Sequence, residues 1–224
     1  VSAIAQFKVA GSNSKFYIEG DVFFLAWTTT PWTLPSNTAL AVGKDIEYVL
    51  VKTFNAFTHQ LAHVILAKDL VGKYFPADNA ALSFDEYQKG DKKIPFTILA
   101  SFKGAELEGI RYEQLLAYEA NTVAAVQAIS PDAQPFRVIT GDFVTTEDGT
   151  GIVHTAPAFG ADDFKVGKKY DIGILTMVDR QGKFVDGLGE FSNRYVKNYK
   201  DEQDYQDVNV DISVKLKKEN RAFK

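Results

Sequence analysis

Apolar residues in this chain come in short runs, and a turn signal closes nearly every run. Gly20-Asp21, Gly43-Lys44-Asp45, Lys103-Gly104, Glu147-Asp148-Gly149 and Asp179-Arg180-Gln181 separate stretches rich in Val, Ile, Phe and Thr. Such a rhythm leaves room for many short strands and few helices. Strands are predicted over 3–9, 16–30 (one or two, around Gly20-Asp21), 38–42, 47–53, 96–102, 136–146 and 151–155, with a turn at Gly11-Ser12-Asn13-Ser14 and a hairpin pairing 172–178 with 182–185. Three segments read otherwise. Leu61, Ile65, Leu66 and Leu70 recur at helical spacing after Thr58, a good N-cap, so 58–75 reads as a helix, with a polar surface segment after it to about Lys93. Residues 161–170 read as a second helix, and 112–120 as a short helix or turn. In the tail, Val208, Val210, Ile212, Val214 and Leu216 alternate as a strand would, while Val208, Ile212 and Leu216 also fit a helical stripe. The fold class expected is mixed and mainly β, a β-barrel core or curled sheet with helical insertions, in one domain over 1–224.

Composition narrows the function. With 224 residues, 46% of them hydrophobic, the chain can bury a sizeable core. It has no cysteine, hence no disulfide and no thiolate metal site. A formal net charge of −4 gives no support for a surface that grips a long duplex. Capture of a single-stranded end remains open, because there a pocket matters more than field. No apolar run approaches a membrane span, and the first residues lack a signal-peptide pattern. The chain starts without Met and ends at Arg221-Ala222-Phe223-Lys224, which reads as an excised piece.

Two stretches carry polar chemistry. In AWTTTPWTLPSN, Ala26–Asn37, both tryptophans of the chain stand among four threonines and two prolines. A plain strand end is one reading. Against it, Pro31 withholds a backbone donor and holds Thr30 extended, leaving neighbouring amides free for a ligand. The hydroxyls of Thr28, Thr29 and Thr30 suit a sugar or an ester, and Trp32 offers a flat face to a base. In GTGIVHTAPAFGADDF, Gly149–Phe164, two glycines permit close backbone approach, His154 interrupts an apolar strand, and Asp162 and Asp163 open a helix whose dipole favours carboxylates. Taken singly, a core histidine and two helix-start acids are plainer readings. Taken together, the stretches suit a ligand with an ammonium at one end and a nucleoside at the other. His59 and His63 have the i, i+4 spacing of a zincin helix, but Gln60 stands where the base would be and no third ligand is near, so no metal is expected. Phosphate-loop, dinucleotide and nucleophile-elbow motifs are absent from the sequence.

These stretches resemble the editing domain inserted into the catalytic domain of isoleucyl-tRNA synthetases, class I enzymes. TTTPWTLPSN is similar to the family's threonine-rich motif in its isoleucine form, GTGIVHTAPAFGADDF to a second motif, and GAELEGIRY, Gly104–Tyr112, to a third. VDRQGKF and LKKENRAF also look like family segments, so the resemblance covers nearly the whole chain. The synthetic-site signatures HIGH and KMSKS are missing, which implies a proofreading piece without the catalytic domain.

The resemblance implies hydrolysis of valine wrongly esterified to tRNA(Ile), and of valyl-adenylate as a further substrate. It implies that Asp163 pairs with the substrate's α-ammonium, that Thr28, Thr29 and Thr30 hold the ester and adenosine, that Trp32 contacts the adenine, that Asn37 orders the loop or ligand, and that His154 lines the valine pocket and turns isoleucine away. The implied partners are the valine-bearing 3′ end of tRNA(Ile) and the rest of the parent synthetase. No cofactor is implied for this domain, although the parent uses ATP and Mg. The implied setting is cytoplasmic, with no membrane partner, and the tail near 205–218 is implied to be helical. Rival readings are a non-catalytic β-barrel that binds a nucleoside or RNA 3′ end, and a valine-type domain that clears Thr-tRNA(Val).

Overall fold

The computed structural model describes residues 1–11, 16 and 18–224. Apart from Gly11, the turn expected at 11–14 lies outside them. Among the described residues are eight strands: β1 (Ala3–Lys8), β2 (Val22–Thr28), β3 (Ala39–Val42), β4 (Glu47–Phe54), β5 (Leu61–Ala67), β6 (Thr97–Lys103), β7 (Arg137–Thr140) and β8 (Ile152–Thr155). Five α-helices join them: α1 (Val71–Tyr74), α2 (Gly104–Leu107), α3 (Val123–Ile129), α4 (Ala161–Tyr170) and α5 (Val208–Lys218).

The strands form two sheets, one ordered β1-β2-β5-β4-β6 and one ordered β7-β3-β8. In the larger sheet only the β2–β5 pair is parallel. Side-chain alternation sends Val22, Phe24 and Ala26 of β2 into the main core with Phe7, Leu50 and Ile65, and sends Phe23 and Leu25 into a second core with Val49, Val64 and Leu66. Leu40, Val42, Val138 and Ile152 of the smaller sheet close the main core from the other side. Its outer face, with Ala39, Ala41 and Ile139, is covered by Val144, Ile172 and Val166 of α4.

Burial on both faces explains the chief departure from the sequence reading. Residues 61–67 form β5, not a helix, because a strand covered on both sides is a continuous apolar run, and its spacing can mimic a helical stripe. His63 therefore sits on a strand and His59 has a left-handed φ of 60°, which removes the helical basis of the metal pairing considered above. The tail resolves the other way. It is helix α5, with Val208, Ile212 and Leu216 buried and Val210 and Val214 exposed. Residues 112–120 contain no α-helix. Tyr112 bridges to Val9 instead, and a 3-10 turn begins at Glu119. Only Arg137–Thr140 of 136–146 is strand, and the expected hairpin reduces to one bridge, Val178 to Phe184.

Among the described residues the strands are divided between two sheets, and no closed barrel is found. The two sheets meet at a corner, where the Ala67 amide donates to the Thr150 carbonyl (2.8 Å) and the Thr150 hydroxyl donates to the Leu25 carbonyl (2.6 Å). On the far side a short linking segment bridges the outer strands, with Tyr112 paired to Val9 beyond β1 and Arg111 paired to Arg137 of β7. β1 is covered by the chain's own end, with the Phe223 amide donating to Ile4 (2.7 Å) and the Ile4 amide to Lys224 (2.9 Å). β6 ends the sheet with Ile98 and Leu99 exposed.

Candidate active site

The corner between the sheets is where the two polar stretches meet. Pro31 stops β2 from continuing and starts a 3-10 turn, Pro31–Ser36, that leads the chain into β3. β8 pairs antiparallel with β3 and sets His154 opposite Leu40. Gly149 and Gly151, just before β8, adopt φ of 71° and 78°. A Cβ on Gly151 would stand 2.5 Å from the Ala67 Cβ, so only glycine lets the corner close. Beyond β8, Gly160 leads into α4 and puts Asp163 in its first turn.

The result is a pocket of about 420 Å³ lined by Thr28, Thr29, Thr30, His154 and Asp163 together, with Thr33, Trp27 and Phe159 also on its walls. Asn37 lies behind the wall, buried. Trp32 does not line the pocket. Its ring packs edge-on against Phe159 at 5.0 Å, and the Lys197 amine lies over it at 5.7 Å. Trp27, which motif reasoning passed over, faces the pocket across Gly149. Trp27 takes its direction from β2, where it pairs with Ile4, and Trp32 from the 3-10 turn that follows.

The freed amides are fewer than the prolines suggested. The Thr30 amide donates to the Thr28 hydroxyl (3.0 Å), the Trp32 amide to Asn209 Oδ1 of α5 (2.9 Å), and the Thr33 amide to the Thr30 carbonyl (3.0 Å). The Thr29 amide has no partner among the described residues.

His154 is held at both nitrogens. Asn37 Nδ2 lies 2.8 Å from Nδ1 and also donates to the Ala39 carbonyl (2.9 Å). Thr33 Oγ1 lies 2.9 Å from Nε2 and donates its own proton to the Thr30 carbonyl (2.9 Å). An amide nitrogen can only donate, so Nδ1 accepts and Nε2 carries the proton. Burial pushes the His154 pKa down to about 4, so the ring is neutral at physiological pH. Thr33 completes this arrangement, and its only trace in the sequence is that it is a fourth threonine in the run.

Asp163 is half-buried and accepts from the Ala156 amide (2.9 Å). Burial raises its pKa, against the pull of that amide, and Asp162 beside it adds to the rise. Among the described residues it has no cationic partner. A half-buried carboxylate that lacks a counter-ion and faces a pocket is a seat for a positive charge. Asp162 is exposed on the other side of the helix start. No group of three metal-ligating side chains is found among the described residues, and no helix there is long and apolar enough to cross a membrane.

Comparison with known proteins gives a consistent result. The chain is 50% identical over 246 aligned positions to the isoleucine–tRNA ligase of Cytophaga hutchinsonii, and 42% identical over 252 to that of Bacteroides fragilis. Both alignments take in 100% of this chain and 21% of the relative, so the chain spans about a fifth of the length of the curated relatives it matches. Among solved structures it resembles GlLeuRS-CP1 (TM-score 0.60, 13% identity, 99% of this chain and 97% of that one). It also resembles the P. knowlesi cytosolic leucyl-tRNA synthetase editing domain (TM-score 0.59, 12% identity, 99% and 95%). No protein-family model matches the chain.

Proposed function

The chain belongs to the isoleucine–tRNA ligase family, in a segment with the fold of synthetase editing domains, and we propose that it hydrolyses valine from misacylated tRNA(Ile). The observation that carries this reading is the pocket that joins the threonine turn, a fixed neutral histidine and an unpaired carboxylate. In the proposed complex the α-ammonium of the valyl ester sits on Asp163, a charge-assisted contact. The terminal adenosine runs along Thr28, Thr29 and Thr30. Water adds to the ester carbonyl, the bond from that carbon to the ribose oxygen breaks, and valine and free tRNA leave. The vacant Thr29 amide is placed to donate to the oxyanion that forms on the way.

His154 serves this reading as a wall. Its Nδ1 lone pair is taken by Asn37 and its Nε2 proton by Thr33, so it has nothing free with which to deprotonate a water. A ring locked in this way cannot yield to an extra methylene without breaking hydrogen bonds, each worth about 1 kcal/mol. A methylene alone is worth only about 1–3 kcal/mol in an apolar synthetic pocket, and isoleucine against valine is the standard worked case of a second sieve. Trp32, outside the pocket, contributes through Phe159 or at the rim.

The proposed setting is the cytoplasm, as part of a longer ligase that presents the tRNA 3′ end. The test is Asp163→Ala in the full-length ligase. Hydrolysis of Val-tRNA(Ile) falls by roughly a hundredfold or more, as expected for losing a charged anchor that also sets the substrate's position, while circular dichroism is unchanged. Normal turnover by that variant removes the ammonium role. A wild-type enzyme that binds a valyl-adenosine analogue but never deacylates leaves only the nucleoside-binding alternative.

A further inference from the structure

One motif is not accounted for by the pocket. GAELEGIRY, Gly104–Tyr112, runs along the outer edge of the smaller sheet, where Arg111 bridges to Arg137 of β7, and contributes no residue to the pocket wall. Its first residue packs on the chain so closely that a Cβ there would stand 1.8 Å from the Gly43 carbonyl oxygen. Its last residue, Tyr112, is held by a bridge to Val9, by its amide bond to Phe136 (3.1 Å) and by edge-on contact with Phe7 at 5.3 Å. Its side chain is buried, and its hydroxyl donates to Asn37 Oδ1 at 2.5 Å. Asn37 is the residue that holds His154.

The heavy atoms therefore assign the direction of a whole chain of protons. Tyr112 donates to Asn37 Oδ1, Asn37 Nδ2 to His154 Nδ1, His154 Nε2 to Thr33 Oγ1, and Thr33 Oγ1 to the Thr30 carbonyl. Every step follows from the one before, because each intermediate group has already committed its other side. Burial holds the Tyr112 phenol well above its ordinary pKa, so it remains a donor at any working pH. The Ala39 carbonyl, which accepts from the same Asn37 nitrogen, favours the same orientation.

We propose that Tyr112 is a positioning residue for specificity: by fixing the Asn37 amide it selects the neutral Nε2-protonated form of His154 and holds that ring as the rigid gate of the pocket. The idea rests on the editing reading for its consequence, but not for its geometry. Without the phenol, the buried Asn37 oxygen has no donor. The amide then gains by turning that oxygen toward His154 Nδ1, which can meet it only by taking up a proton.

The experiment reads imidazole nitrogen shifts by NMR in the chain and ester hydrolysis in the full-length ligase. In the wild-type chain His154 shows a protonated Nε2 and an unprotonated Nδ1. In Tyr112→Phe, signal from Nδ1-protonated imidazole appears, and the His154 titration moves up from about 4 toward the ordinary histidine range. In the ligase, the preference for Val-tRNA(Ile) over Ile-tRNA(Ile) falls roughly tenfold, the worth of one buried hydrogen bond. Asn37→Asp supplies a second arm. A carboxylate accepts on both oxygens, so Nδ1 must be protonated there whether or not Tyr112→Phe folds well. Unmoved His154 shifts in a folded Tyr112→Phe, or in Asn37→Asp, overturn the proposal, and so does an altered tautomer with unaltered substrate preference in an active ligase. An altered tautomer in a ligase whose wild type never cleaves Val-tRNA(Ile) overturns the editing reading and leaves the assignment of the proton chain standing.

Discussion

His154 shows how one side chain acquires a role from its partners. A lone histidine in an apolar strand is most simply a core residue, and its partial burial and two hydrogen bonds agree with that. What makes it more is that its ring also forms part of the pocket wall. Removing the ring in His154→Ala enlarges the pocket, and the ligase then cleaves Ile-tRNA(Ile) at a rate within about tenfold of Val-tRNA(Ile), the range one methylene can still discriminate. A deacylation assay with both esters measures this, and a variant that continues to spare isoleucine removes the steric role. The same residue shapes stability. Its folded pKa of about 4 lies below the ordinary value of 6.5, so the unfolded chain binds the proton first as pH falls. This contribution is intact above 6.5, declines as pH drops from there, and is fully lost below about 4, amounting to roughly 3 kcal/mol at most. Urea denaturation across that window shows the decline, and it is shallower in His154→Ala relative to that variant's own stability at pH 7.

At the scale of elements, the joint between β5 and β8 governs the pocket. Thr150 stitches β2 to the joint, Gly151 lets β8 leave it, and the Tyr48 hydroxyl, buried in the core, donates to the Gly151 carbonyl at 2.5 Å. Gly151→Ala places a methyl against Ala67 and imposes a left-handed φ on a residue that resists it. The expected cost is about 2–4 kcal/mol, a clash added to the backbone penalty, read as a lower Tm. Because Gly151 also lines the pocket, affinity for a valyl-adenosine analogue falls with it. Alanine at Gly72, where a Cβ meets nothing and φ is ordinary, is the matched control and leaves both readouts unchanged.

Across the whole molecule, the two ends of the chain meet. Residues 221–224 lie along β1, and Phe223 caps the second core against Phe75 at 5.7 Å. Neither contact is local, so the β1 edge and the second core are both covered by residues far along the chain. Phe223→Ala opens a hole in that cap and lowers unfolding free energy by about 3–5 kcal/mol, a loss measured as a shift in the urea midpoint.

The sequence by itself determined the chemical parts: the threonine run with its prolines, the glycines before β8, a histidine, and an acid in the first turn of α4. It also determined most strands, because a turn residue and a β-rich run are local features. Resemblance to a known family added the expectation that the acid and the threonines share a ligand, which spacing could not show. Tertiary structure alone decided that 61–67 is a strand, that the sheets meet at a corner, that Trp27 and not Trp32 faces the pocket, and that Tyr112, Asn37 and Thr33 join His154 in one run of hydrogen bonds. Each of these depends on what lies on the far side of a side chain, and that neighbour comes from residues tens or hundreds of positions away.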